Sequence, residues 1–70
     1  MVKAAIAWDR NTQRPTQELG EFDNWNAAYK RIINIFTHMS SDLDPVAFIQ
    51  GDGMEGFVYR NGTITKWRSQ

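Results

Sequence analysis

Seventy residues without a cysteine leave room for one small domain, 1–70, and exclude disulfides and thiol chemistry. Eight cations balance eight carboxylates, so the chain has no overall basic excess of the kind that marks a dedicated nucleic-acid binder. No apolar run approaches the ~20 residues of a membrane-spanning helix, and the start is interrupted too soon by Asp9-Arg10 for a secretory signal.

Val2, Ala4, Ile6 and Trp8 alternate with Lys3, Ala5, Ala7 and Asp9, which predicts a first strand over about 2–10. Asn11 to Pro15 reads as a turn. Thr16 to Phe22 reads as a second strand, placed at a sheet edge because Pro15 and Gly20 weaken it. Asp23 or Asn24 can cap the helix that follows. In that helix Trp25, Ala28, Tyr29, Ile32, Ile33, Phe36 and Met39 form one apolar stripe, ending near Ser40-Ser41. Asp42-Leu43-Asp44-Pro45 is a linker, because a residue before proline is pushed out of the helical region.

Val46 to Gln50 predicts a third strand, and Gly51 to Gly56 a loop or bulged turn. Phe57–Arg60 and Thr63–Arg68 predict a closing hairpin around Asn61-Gly62, a pair suited to a two-residue type I′ turn. That turn sets Tyr59 opposite Ile64 and Phe57 opposite Lys66. The order is ββαβββ: a single α+β domain, an antiparallel or mixed sheet with one amphipathic helix on one face. The other face then stands open. If Phe57, Tyr59 and Ile64 face the helix, Val58, Arg60 and Trp67 face outward beside Ala5 and Ala7; the inverse assignment is the alternative.

The residues offer little for catalysis. His38 is the only histidine, near the helix end, and the serines stand in no nucleophile motif. No enzymatic activity and no cofactor are expected. The acids Asp42, Asp44, Asp52 and Glu55 do not follow the spacing of a calcium loop. Gly51 to Gly56 has glycines but no lysine to hold phosphate. No metal site is expected either.

Binding is the better expectation. The charge is unevenly spread: residues 32–59 hold four carboxylates and no lysine or arginine, and residues 60–70 hold three cations and no acid. Trp67 with Arg60, Lys66 and Arg68, and Lys30-Arg31 on the helix, are the candidate partner-binding residues. Trp and Arg are favoured anchors of protein interfaces. The same residue types on an open sheet can stack bases and hold phosphates, which makes a small nucleic-acid-binding or regulatory module the alternative. A homodimer that buries the open face is a third reading.

Lys3-Ala4-Ala5 in the first strand, Thr16-Gln17 in the second, Lys30-Arg31-Ile32 in the helix, and Tyr59-Arg60-Asn61-Gly62 with a tryptophan at 67 carry a family likeness. On these the chain resembles small phage-encoded anti-CRISPR proteins, most nearly the ninth family of type I-F inhibitors. The resemblance implies a ββαβββ fold acting in the bacterial host cytoplasm. It implies binding to the RNA-guided surveillance complex, through the subunits that carry the guide, so that target DNA cannot hybridise. It also implies a basic patch that touches DNA, onto which Lys30, Arg31 and Arg60 map. The acidic 42–55 segment and the uncharged Thr63-Ile64-Thr65 depart from the family pattern.

Overall fold

In the computed structural model, residues 1–7, 17–39 and 43–69 are described. The elements are β1 (Val2–Ala7), β2 (Gln17–Phe22), α1 (Trp25–Thr37), β3 (Val46–Gly51), β4 (Met54–Tyr59) and β5 (Ile64–Arg68). The five strands form one antiparallel sheet in the order β2-β1-β3-β4-β5, with α1 against one face. This is the expected α+β class and element order. The expected turn at 11–15, the strand residues 8–10 and the strand start at Thr16 lie outside the described residues.

Strand alternation builds the core. Val2, Ala4 and Ile6 of β1, Ala47 and Ile49 of β3 and Val58 of β4 are buried on the helix side. Ala28, Ile32 and Phe36 of α1 meet them, with Trp25, Tyr29 and Ile33 packed at the margin. The sheet side of this contact is built of small and β-branched residues, so the helix can lie close to it. Gly56 is the extreme case: a Cβ there would stand 2.5 Å from the Thr65 carbonyl oxygen and 3.2 Å from the Trp25 ring. Trp25 thus packs directly on the backbone of β4.

Asn24 caps α1, its Oδ1 accepting from the Ala27 amide at 2.8 Å. The helix stops at Thr37, earlier than its apolar stripe implies. The His38 and Met39 amides donate to the Ile35 and Phe36 carbonyls at 3.1 and 3.3 Å and close the last turn, while Thr37 Oγ1 donates to the Ile33 carbonyl and His38 Nδ1 lies 2.8 Å from the Asn34 carbonyl. Met39 still packs on the core from beyond the helix end.

Both hairpins at the C-terminal end depart from expectation, and the departures are linked. The type I′ turn is at Asp52-Gly53, with φ of +55° and +79°, and pairs Gly51 with Met54. β4 therefore begins at Met54, within the segment expected to be a loop. At the second hairpin, the Tyr59 amide donates to the Thr63 carbonyl and the Gly62 amide to the Tyr59 carbonyl, each at 2.9 Å. The loop is thus three residues, Arg60-Asn61-Gly62, with only Gly62 at positive φ (+90°) among them. This is a type I turn closed by a glycine bulge. The Thr63 amide donates to Asn61 Oδ1 at 3.0 Å and fixes it.

The extra loop residue shifts the register by one. Val58 pairs with Ile64 and Phe57 with Thr65, where a two-residue turn sets Phe57 opposite Lys66. A one-residue slip moves side chains to the other face. Neither face assignment holds whole: β4 is inverted, with Val58 facing the helix fully buried and Phe57 and Tyr59 facing away, whereas Ile64 on the helix side and Trp67 outward stand as first assigned. Val58 and Arg60 do not join Trp67 on the open face, and Ile64 lies on the helix side. Ala5 and Ala7 lie outward as expected.

Candidate functional site

Among the described residues, nothing packs on the sheet face opposite α1. Register places its residues in rows. The central row runs Glu18, Ala5, Phe48, Phe57, Thr65; the next runs Glu21, Lys3, Gln50, Glu55, Trp67. Tyr59 pairs with Val46 beyond the central row. The large side chains therefore gather over β3, β4 and β5.

Phe57 is the hub. Its ring centroid is 5.5 Å from that of Phe48, 6.4 Å from Tyr59 and 5.2 Å from Trp67, all tilted by 50–54°. Tilted rings at these separations attract through their quadrupoles, so the four stabilise one another as a layer. The Trp67 indole Nε1 donates to Glu55 Oε2 at 3.2 Å, between directly paired residues. That bond holds the indole in its tilted contact with Phe57. Phe57 and Trp67 nevertheless keep 36% and 37% of their surface exposed. An ordered aromatic layer that stays wet fits a contact surface.

Beside this layer the face becomes shallow. A hollow of about 340 Å³ lies over Ala5, between Phe48 and the edge strand β2, with Lys3, Glu18, Glu21 and Gln50 around it. It exists because Ala5 is small and because β2 bulges: Ala4 pairs with Gly20 but Ala5 with Glu18, leaving Leu19 as the extra residue. Gly20 takes a φ of +97° at this bulge. Among the described residues of this face, Glu18, Glu21 and Glu55 stand against the single ammonium of Lys3.

The six residues expected to bind a partner do not share one surface. Trp67 alone is on the aromatic face. Lys66 and Arg68 point to the helix side of β5, where Lys66 Nζ sits 5.2 Å over the Trp25 ring. Lys30 and Arg31 are exposed on α1, about 100° apart around its axis. Arg60 serves the fold. Its guanidinium donates to the Met39 carbonyl at 2.9 Å and to the Leu43 carbonyl at 3.3 Å, tying the hairpin loop to the segment after the helix.

Phe48, Phe57, Tyr59 and Glu55 are the surface residues that sequence reasoning did not assemble. Their signal was present in the alternation of Ala47 and Ile49 with Phe48, and of Gly56 and Val58 with Phe57. Small or β-branched residues under a helix leave the large rings on the other side.

His38 is engaged with the helix end and faces no cleft. Asp52 Oδ1 accepts from the Met1 ammonium at 3.2 Å. Among the described residues, no three His, Asp or Glu side chains are grouped to hold a cation, and no helix is long and apolar enough to cross a membrane. No family model matches this chain, and no curated protein or solved structure shows significant similarity to it.

Proposed function

We propose that this protein is a non-enzymatic inhibitor that works by binding a macromolecular host complex, with the aromatic sheet face as its main contact surface. The observation that carries the reading is the layer of Phe48, Phe57, Tyr59 and Trp67, with Phe57 and Trp67 exposed and all four pre-ordered by ring contacts and the Glu55 hydrogen bond. A rigid aromatic surface loses little side-chain entropy on binding, which is why such residues dominate interface energetics. The resemblance to anti-CRISPR proteins supplies the partner class: a type I RNA-guided surveillance complex, kept from hybridising with its target DNA.

The charge of the face favours a protein contact over nucleic acid. Among the described residues this face carries three carboxylates, Glu55 beside the rings and Glu18 and Glu21 on β2, to one lysine, which would repel phosphates, whereas single-strand binders surround their stacking aromatics with cations. The expected basic residues lie elsewhere on the molecule.

The test is a hybridisation assay with a purified type I-F surveillance complex. Protein added before target DNA should suppress R-loop formation, and Trp67→Ala combined with Phe57→Ala should weaken the binding at least about ten-fold while the variant stays folded. Unimpaired hybridisation at saturating protein would sink the partner assignment. Full inhibition by the folded double variant would remove the aromatic face from it.

A further inference from the structure

The helix side of β5 has a different character from the aromatic face. β5 is an edge of the sheet, and all five of its residues are exposed. Its hydrogen-bonding direction can be read from the bonds at its two ends. The Tyr59 amide reaches the Thr63 carbonyl and the Ser69 amide the Gly53 carbonyl, so the odd-numbered residues of β5 bond inward to β4. The amides and carbonyls of Ile64, Lys66 and Arg68 then point outward, and no described strand pairs with them.

The opposite edge is blunted and β5 is not. β2 is bulged at Leu19 and turned by Gly20, a device that spoils strand addition. β5 pairs regularly from Ile64 to Arg68.

Beside this edge lies a hollow of about 330 Å³ between β5 and α1, lined by Trp25, Asn26, Tyr29, Ile64 and Lys66. Its walls are fixed at both ends. Trp25 Nε1 donates to the Gly51 carbonyl at 3.1 Å, and Tyr29 Oη to the Gly62 carbonyl at 2.8 Å. Its rim is cationic. Lys66 and Arg68 project on this side of the strand, and Lys30 follows Asn26 by one helical turn on the same flank. No carboxylate lines the hollow, and none of the three cations forms an ion pair with a described residue.

We propose that β5 and this hollow together receive an extended acidic segment of a partner protein, added to the sheet as a sixth strand. The outward amides and carbonyls would supply the main-chain bonds. The hollow would take one apolar side chain, and Lys30, Lys66 and Arg68 would pair with acids at alternate positions. A second copy of this chain is the wrong occupant: antiparallel pairing of two β5 strands about Lys66 sets lysine opposite lysine. A polynucleotide would satisfy the charge but offers no matching ladder of amides and carbonyls. This site is separate from the aromatic face and stands whether or not that face binds as proposed.

The test is a titration of the ¹⁵N-labelled protein with a peptide whose one strand face carries glutamate, valine and glutamate at successive alternate positions, with threonine between them, followed through its amide resonances and by anisotropy of the labelled peptide. The expected result is binding that shifts the amides of Ile64, Lys66 and Arg68 more than those of Thr65 and Trp67. N-methylation of alternate peptide amides, or Lys66→Glu in the protein, should weaken it at least about ten-fold, with Phe57→Ala on the far face without effect. Ile64→Pro, which removes one outward amide while leaving the ladder to β4, should also weaken it. No binding of the acidic peptide, equal binding of its N-methylated form, or shifts centred away from β5 would overturn the proposal. So would tighter binding of an oligothymidylate at the same amides, which would reassign the edge to nucleic acid.

Discussion

Arg60 shows how one residue type can carry two readings. In the sequence it is a cation beside a turn, next to Lys66 and Arg68, and joins them as a candidate for binding. In the folded chain its guanidinium spans the Met39 and Leu43 carbonyls, which no other described side chain is shown to reach. A planar fork of donors can satisfy two carbonyls at once; a lysine ammonium cannot do so with the same geometry. Arg60→Ala should therefore cost about 1–2 kcal/mol, discounted for the partial exposure of the site. Urea denaturation should show a lower midpoint with an unchanged slope. A variant as stable as the parent would return Arg60 to the list of binding candidates. Trp67 is the reverse case: it faces outward as expected and belongs to the proposed contact surface, but on a face reached through a different register from the one its turn implied.

At the level of elements, the two C-terminal hairpins turn on where glycine is needed. Asp52-Gly53 supplies two consecutive residues at positive φ, and Asn61-Gly62 supplies one. The dipeptides look interchangeable in sequence, since Asp-Gly and Asn-Gly both favour type I′ turns. What separates them is length and neighbours. Arg60, held by its carbonyl partners, belongs to the loop, and Asn61 spends its side chain on the Thr63 amide. Gly53→Ala places a Cβ in a left-handed conformation with open space around it, so the cost is backbone strain alone. Thermal or chemical unfolding should show a loss of about 1 kcal/mol. A larger loss would mean that the turn also carries packing. The helix and the first strand were legible because their patterns are long and one-sided: the apolar stripe of α1 and the alternation of β1 each have one burial solution. β4 was not, because Met54-Glu55-Gly56 lacks strand character and is held by pairing on both sides, with β3 and with β5.

The whole molecule has its stability at the centre and its chemistry at the periphery. β1 and β3 are flanked by strands on both sides and covered by α1, and they supply Val2, Ala4, Ile6, Ala47 and Ile49 to the core. The amides there should exchange with solvent deuterium most slowly, at or near the global unfolding rate. Those of Ile64, Lys66 and Arg68, directed outward from an edge, should exchange fastest within the sheet. Equal protection across β5 would show that its outer edge is covered and would count against strand addition. Charge is arranged on the same plan. Among the described residues, carboxylates predominate on the aromatic face, while Lys30, Arg31, Lys66 and Arg68 lie on the helix side. A neutral chain therefore presents two unlike surfaces, which a net charge averages away.

The α+β class, the ββαβββ order, the helix stripe with a cap at Asp23 or Asn24 and the existence of one uncovered sheet face followed from the sequence alone, because each rests on local periodicity or local capping; the structure placed the cap at Asn24. The contents of that face did not. They depend on register, and register depends on one residue more or less in a turn, a difference set by the contacts of Arg60 and Asn61 in three dimensions. Nor does sequence say which rings the core needs: among the described aromatics only Phe36 is in the buried set, because Ala4, Ala47 and Gly56 bring the helix too close to the sheet for larger side chains. The rings left over form the surface on which the proposed function rests, and tertiary packing alone decided where they went.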